Sequence, residues 1–107
     1  MTPGQRGDLV RAIQEHKKIQ VGYERRDGSV SLHMVAPVDL QPGDRPSTEG
    51  KEYLWAYCFA ESKAELHLTD RILTVRVLAE AFDPARVIAD WPVSWRLPAS
   101  WRVSRSW

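Results

Sequence analysis

Between residues 19 and 82 apolar and polar side chains alternate in short runs, and the alternation resets at turn signals. Ile19, Val21 and Tyr23 alternate with Gln20, Gly22 and Glu24, the period of a half-exposed strand. Asp27-Gly28 follows as a tight-turn signal, and Val30, Leu32, Met34 and Ala36 then alternate with Ser29, Ser31, His33 and Val35. A β-hairpin is predicted, with Pro37 ending its second strand. Pro42, Gly43, Pro46 and Gly50 give residues 41–51 a loop composition.

A third strand is predicted over about residues 52–59, with Tyr53, Trp55, Tyr57 and Phe59 on one face and Leu54, Ala56 and Cys58 on the other. Such a strand either divides two packed layers or shows one face to a ligand. Glu61-Ser62-Lys63 reads as the next turn, residues 65–69 as a fourth strand, and Ile72, Leu73, Val75, Val77 and Leu78 as a fifth, closed by Phe82-Asp83-Pro84. Ahead of the strands, Asp8 is the expected N-cap of one short helix over about residues 8–18, with Leu9, Val10, Ile13 and Lys17 at helical spacing. One helix is too little for a helix-turn-helix DNA-binding unit. The expected fold is mainly β: a small SH3/Sm-like five-stranded bent barrel over residues 8–83, with one N-terminal helix.

From residue 84 to 107 the chain changes character. Ser94-Trp95-Arg96, Ser100-Trp101-Arg102 and Ser106-Trp107 repeat at a period of six. An even step keeps the tryptophans on one side of an extended chain, whereas on an α-helix it rotates them by about 240°. Pro92 and Pro98 also oppose a helix. An extended Trp-rich C-terminal tail is expected. Its four arginines against one acid, Asp90, suit either base stacking with phosphate contact or docking on a barrel. Three freely exposed tryptophans would favour aggregation, so docking is the expectation, and Trp95, Trp101, Arg96 and Arg102 are where a homo-oligomer would form.

Composition narrows the classes. At 107 residues and 43% hydrophobic content the chain supports one domain with a modest core. A net charge of +1 gives no overall basic field for nucleic acid, so any such binding needs a local patch. No apolar run approaches the roughly 20 residues of a membrane span, and the start Met1-Thr2-Pro3-Gly4 reads as no signal peptide, so a cytoplasmic location is expected. Cys58 is the sole cysteine, which excludes an internal disulfide and a multi-cysteine zinc site.

The run from about Asp8 to Phe82 resembles the WYL domain, the small Sm/SH3-like barrel of many bacterial transcriptional regulators. The matching pieces are Ile19-Gln20-Val21-Gly22-Tyr23, Asp27-Gly28, Val35-Ala36-Pro37-Val38-Asp39-Leu40, Tyr53-Leu54-Trp55-Ala56-Tyr57-Cys58 and Asp70-Arg71-Ile72. The resemblance as a whole, from about Asp8 to Phe82, covers about three-quarters of the chain. The chain departs from the family where the motif tryptophan falls at Glu52, where His33 replaces an arginine four residues before Pro37, and where Leu66 to Ile72 carries one extra residue or a bulge. An upstream arginine of that strand is replaced by the region of Ala64 and Glu65. WYL domains are thought to sense short nucleic acids or nucleotide-like effectors and to relay binding to an attached DNA-binding domain. The resemblance therefore implies a ligand-sensing module linked to transcriptional regulation.

Among individual residues, Arg71 is the first candidate for a ligand phosphate or carboxylate, because a guanidinium donates two parallel hydrogen bonds. The competing role is a salt bridge with Asp70 or Asp39. His33 and His67 are expected as polar positions on the outer face of the barrel, or as substitutes for ligand-contacting arginines. No metal site or cofactor is expected, because two histidines without a nearby cysteine or carboxylate cluster make a weak ligand set. Tyr53 and Tyr57 are candidates for base stacking. Lys18, Arg25 and Arg26, flanking the first strand, are candidate phosphate contacts. No nucleophile elbow, phosphate loop or metal triad is present, so a non-catalytic protein is expected. The alternative is a protein-interaction or oligomerisation module acting through the tryptophan-rich tail.

Overall fold

The computed structural model describes residues 1–42 and 50–91. It contains helix α1 (Pro3–Glu15), strands β1 (Lys17–Glu24), β2 (Val30–Pro42), β3 (Glu52–Cys58) and β4 (Lys63–Leu68), a 3-10 turn (Thr69–Arg71), strand β5 (Ile72–Ala81) and helix α2 (Pro84–Ala89). The five strands form one antiparallel sheet in the order β4-β3-β2-β1-β5. This is the mainly β architecture that the alternation predicts, with each hairpin at its turn signal. Gly28 takes φ 86°, which glycine adopts without steric cost, and Arg25 closes the first hairpin by donating its backbone N–H to the Ser29 carbonyl at 2.8 Å.

Three expectations change. Helix α1 starts well before Asp8, because Thr2 and Gln5 form a capping box: the Gln5 N–H donates to Thr2 Oγ1 (3.1 Å) and the Thr2 N–H donates to Gln5 Oε1 (2.9 Å). The two bonds satisfy donors that a helix start leaves without partners, and Pro3 fits the first turn where no N–H is needed. Strand β2 does not end at Pro37. The register slips between Pro37 and Asp39, and pairing resumes to Pro42. A bulge is where a strand tolerates a proline, and it also bends the strand. The third change is at the end of the sheet, where residues 84–89 form α2 rather than extended chain, capped by Asp83 Oδ1 accepting from the Ala85 N–H at 3.0 Å.

Because of its bend, β2 serves two neighbours. Residues 30–35 pair with β1 and residues 35–42 pair with β3. The sheet curls enough for β4 to meet β1 although two strands lie between them in the sheet order: the Leu68 N–H donates to Tyr23 Oη at 3.2 Å.

Both faces of the sheet carry a core. On the α1 face, Ile19, Val21, Val35, Leu54, Ala56, Cys58 and Ile72 pack with Leu9 and Ala12 of α1. On the other face, Ala36, Val38 and Tyr57 pack with Phe82, Val87 and Trp91, flanked by Trp55 and Phe59. The Tyr57 hydroxyl donates to Asp90 Oδ2 at 2.6 Å, and the Trp55 and Trp91 rings stand 6.1 Å apart. The aromatic strand thus divides two packed layers, and residues 84–91 belong to the packed unit. The Trp95-Arg96 and Trp101-Arg102 repeats lie outside the described residues.

Candidate functional site

Cross-strand pairing decides which polar side chains meet. Val21 stands opposite His33, Tyr23 opposite Ser31, and Leu54 opposite His67. Directly paired residues share a face, so His33 and His67 lie on the same side as Val21 and Leu54, the α1 face. Their expected place on the outer face is therefore corrected. Period-two alternation along β4 adds Lys63 and Glu65 to the same side. Helix α1 covers the apolar part of this face, and the polar part is left lining an open cavity of about 500 Å³.

The cavity is lined by Tyr23 and Arg25 from the end of β1, Ser31 and His33 from β2, and Lys63, Glu65 and His67 from β4. Glu65 is central. Its Oε2 lies 2.9 Å from His67 Nε2 and 3.9 Å from His33 Nδ1. His33 Nε2 is bonded to Ser31 Oγ at 2.8 Å. The two imidazole rings stand 5.2 Å apart, and Tyr23 meets the His67 ring edge-on at 4.9 Å. His67 is 5% exposed, and burial pushes its imidazole below the ordinary value, opposed by the Glu65 carboxylate. Cys58, Glu61 and Glu65 also approach one another, with donor atoms within 4.8 Å, and Lys63 Nζ is paired with Glu61 at 2.8 Å.

Of the residues singled out from the sequence, His33, His67 and Arg25 are brought together here. Arg71 is half-buried and directs Nη1 at the Glu24 carbonyl, 3.5 Å away, just beyond Tyr23. It does not pair with Asp70, whose carboxylate faces Lys51 Nζ at 3.5 Å. Arg26 is exposed in the hairpin turn. Lys18 is drawn away, paired with Glu80 at 3.1 Å and lying 4.6 Å over the Phe59 ring. Tyr53 neighbours Leu54 on β3 and so points to the face opposite His67. Tyr57 is 2% exposed within the aromatic core, so no side of its ring is open to a base.

Tyr23, Ser31, Lys63 and Glu65 escaped the sequence reading. The signal was present in the alternation Lys63-Glu65-His67 on one strand and Ser31-His33 on another. Only the curl of the sheet, which brings β4 onto β1 and β2, makes them one site.

No family model matches the chain, and no curated protein matches it. Among solved structures it is similar to proteasome accessory factor B/C (PafBC) of Arthrobacter aurescens, with a TM-score of 0.65 and 19% sequence identity. The match covers 92% of this chain and 14% of that one, so the chain corresponds in fold to a small part of a much longer protein. Among the described residues no helix is long and apolar enough to cross a membrane.

Proposed function

We propose that this chain is a non-catalytic, ligand-sensing regulatory module of WYL-like bent-barrel type, binding a short single-stranded nucleic acid or a nucleotide-like anion in the cavity between β1, β2 and β4. The observation that carries this reading is the cavity wall, where the cations Arg25 and Lys63 line one opening together with His33, His67 and Tyr23. Cationic donors hold phosphate, and an aromatic ring offers a stacking surface without sequence preference. Arg71, whose Nη1 is directed at the Glu24 carbonyl, lies outside that lining. The link to transcriptional regulation comes from the WYL resemblance of the sequence. Tyr53, on the opposite face, takes no part in this reading.

Fluorescence anisotropy with a labelled oligonucleotide at low salt tests the proposal. Binding is expected to weaken with rising salt by about one ion per phosphate contact, to fall in Arg25→Ala and Lys63→Ala, and to fall further in the double variant. A folded wild-type protein that retains no oligonucleotide or mononucleotide at low salt defeats it.

A second reading, an interaction or oligomerisation module, is favoured by one exposed apolar row: Val30, Leu32 and Met34 on the outward face of β2 are 56%, 67% and 54% exposed. The Trp95-Arg96 and Trp101-Arg102 repeats would make the contact in that reading. Light scattering before and after deletion of residues 94–107 tests it, and an unchanged monomer counts against it. The deletion must spare Trp91, which lies in the core.

A further inference from the structure

We propose that residues 92–107 dock on the sheet of their own chain, along the exposed row Val30, Leu32 and Met34, and so extend the aromatic layer of the α2 face. The first observation is where that layer stops. Met34 stands two residues before Ala36 on β2, so the two share a face, while Val35 between them belongs to the α1 core. Ala36 and Val38 are buried with Tyr57, Phe82 and Trp91. Beyond them the apolar row runs on for about 13 Å from Met34 to Val30, with every side chain more than half exposed. Across on β1, Gly22 stands opposite Leu32 and raises no side chain to shield it. This face of β2 is thus apolar from Val30 to Val38, and among the described residues only its second half is covered.

The second observation is where the described chain ends. Trp91 lies in the same layer, its ring 6.1 Å from that of Trp55, so the tail departs from the covered end of the row. Sixteen residues follow, and at about 3.3–3.6 Å each they span about 55 Å when extended, more than the 41 Å longest dimension of the described chain. Trp95, four residues on, stays within about 14 Å of Trp91, enough for its ring to pass from the aromatic cluster onto Met34. Trp101 follows about 20 Å further on, and the even step keeps both rings on one side of an extended segment. Glu24, opposite Val30, offers a carboxylate to the interleaved arginines, whereas Arg76, opposite Gln20, keeps them off the β5 side. A second copy is the competing occupant. Three side chains on one strand fall far short of the about 800 Å² per partner of a stable interface, while a segment of the same chain is held at high effective concentration by its attachment at Trp91. The proposal rests on the second reading's assignment of contact to the tail repeats and places their partner surface in the same chain. It is independent of the anion cavity, which opens on the α1 face.

Methionine occurs only at positions 1 and 34, so methyl-labelled methionine in the full chain gives two resonances, assigned by Met34→Leu. In nucleotide-free samples the Met34 methyl is expected to be shifted upfield by an overlying indole ring. It should return toward the position of an exposed methionine in Trp95→Ala, with a smaller return in Trp101→Ala. Light scattering of the same samples is expected to give the mass of one chain, and the shift should hold on dilution. An unshifted Met34 methyl in folded wild type overturns the proposal, as does a shift that survives both tryptophan substitutions together, since another ring such as Phe59 would then cause it. A dimeric mass with a shift lost on dilution also overturns it, because a second copy would then cover the row. Should a tail variant lose its fold by circular dichroism, Leu32→Ser, at the most exposed position of the row, decides, and it is expected to give the same return of the Met34 methyl.

Discussion

The two faces of this sheet are built from the same strands and finished in opposite ways. On the α2 side, large aromatics close on one another: Tyr57, Phe82 and Trp91 are buried, and the Tyr57 hydroxyl is bonded to Asp90. On the α1 side, the helix covers only the apolar part. Beyond it the same strands carry Tyr23, Ser31, His33, Glu65 and His67 around a cavity. Buried polar groups are expensive unless they are bonded, so a buried His67 with half-buried Tyr23, Ser31, His33 and Glu65 beside it sets this face apart from the aromatic one. One face is closed by apolar packing under α2, and the other packs a core under α1 and leaves the rest of its surface polar and open.

The sharpest way to break that comparison is to truncate each core. Leu9→Ala on the α1 face and Trp91→Ala on the α2 face should each cost about 2–5 kcal/mol, because both side chains are buried against well-packed neighbours. Urea unfolding followed by far-ultraviolet circular dichroism should show one transition in both variants. A separate early transition in Trp91→Ala would mean that α2 and its aromatics are an appendage and not half of the core.

The legibility of the two faces in the sequence also differed. The aromatic face was readable because Tyr53, Trp55, Tyr57 and Phe59 alternate within one strand, and the hairpin was readable because Asp27-Gly28 lies between two alternating runs. What covers that face was not readable. Helix α2 is only six residues long, begins with a proline and has no time to establish a period. The start of α1 was hidden in Thr2-Pro3-Gly4-Gln5, where proline and glycine suggest loop while Thr2 and Gln5 cap each other. Pro37 looked like a strand end because nothing local marks a bulge. The cavity was half legible: His33 and His67 stood out by type, but Glu65 became their partner only through the curl that brings β4 over β1.

A smaller effect is expected where α2 does not reach. Gly22 lies on the outward face of β1, between Leu32 and Thr74. A Cβ there would meet Thr74 Oγ1 well inside contact distance. Gly22→Ala should destabilise by about 1–3 kcal/mol through overpacking, and Thr74→Ala should restore most of the loss in a double-mutant cycle. Absence of rescue would show that the strand needs glycine for its backbone and not for space.

Tyr57→Phe isolates the polar anchor of the aromatic face. Its loss should cost about 1 kcal/mol, since Asp90 is exposed and is solvated once released. Burial, followed by the Asp90 carboxylate, pushes the Tyr57 phenol above its ordinary value. The folded state thus holds the phenolic proton more tightly than the unfolded chain does, and stability should fall as pH rises past the usual tyrosine range near about 10. The Phe variant should show a shallower alkaline decline, and equal slopes would remove Tyr57 from the account.

The smallest effect is on the rim of the α1 face, where Arg6 of α1 grips Glu52 of β3 through two hydrogen bonds of 2.6 and 2.7 Å. Both side chains are partly exposed, at 46% and 32%, so water and salt screen the pair and Arg6→Ala should cost no more than about 1 kcal/mol. The Arg6 hydrogen bonds hold the Glu52 carboxyl below the ordinary carboxylate value, against a weaker opposing effect of burial. The unfolded chain therefore takes up the proton first as pH falls. The contribution is complete above the ordinary carboxylate range and is lost as pH drops through that range to the depressed folded value. The gap in melting temperature between wild type and Arg6→Ala should close at acid pH and narrow in high salt at neutral pH. A gap that survives both conditions would mean that the Arg6 stem, and not its charge, fastens α1 to β3, and that apolar packing on this face extends to its very edge.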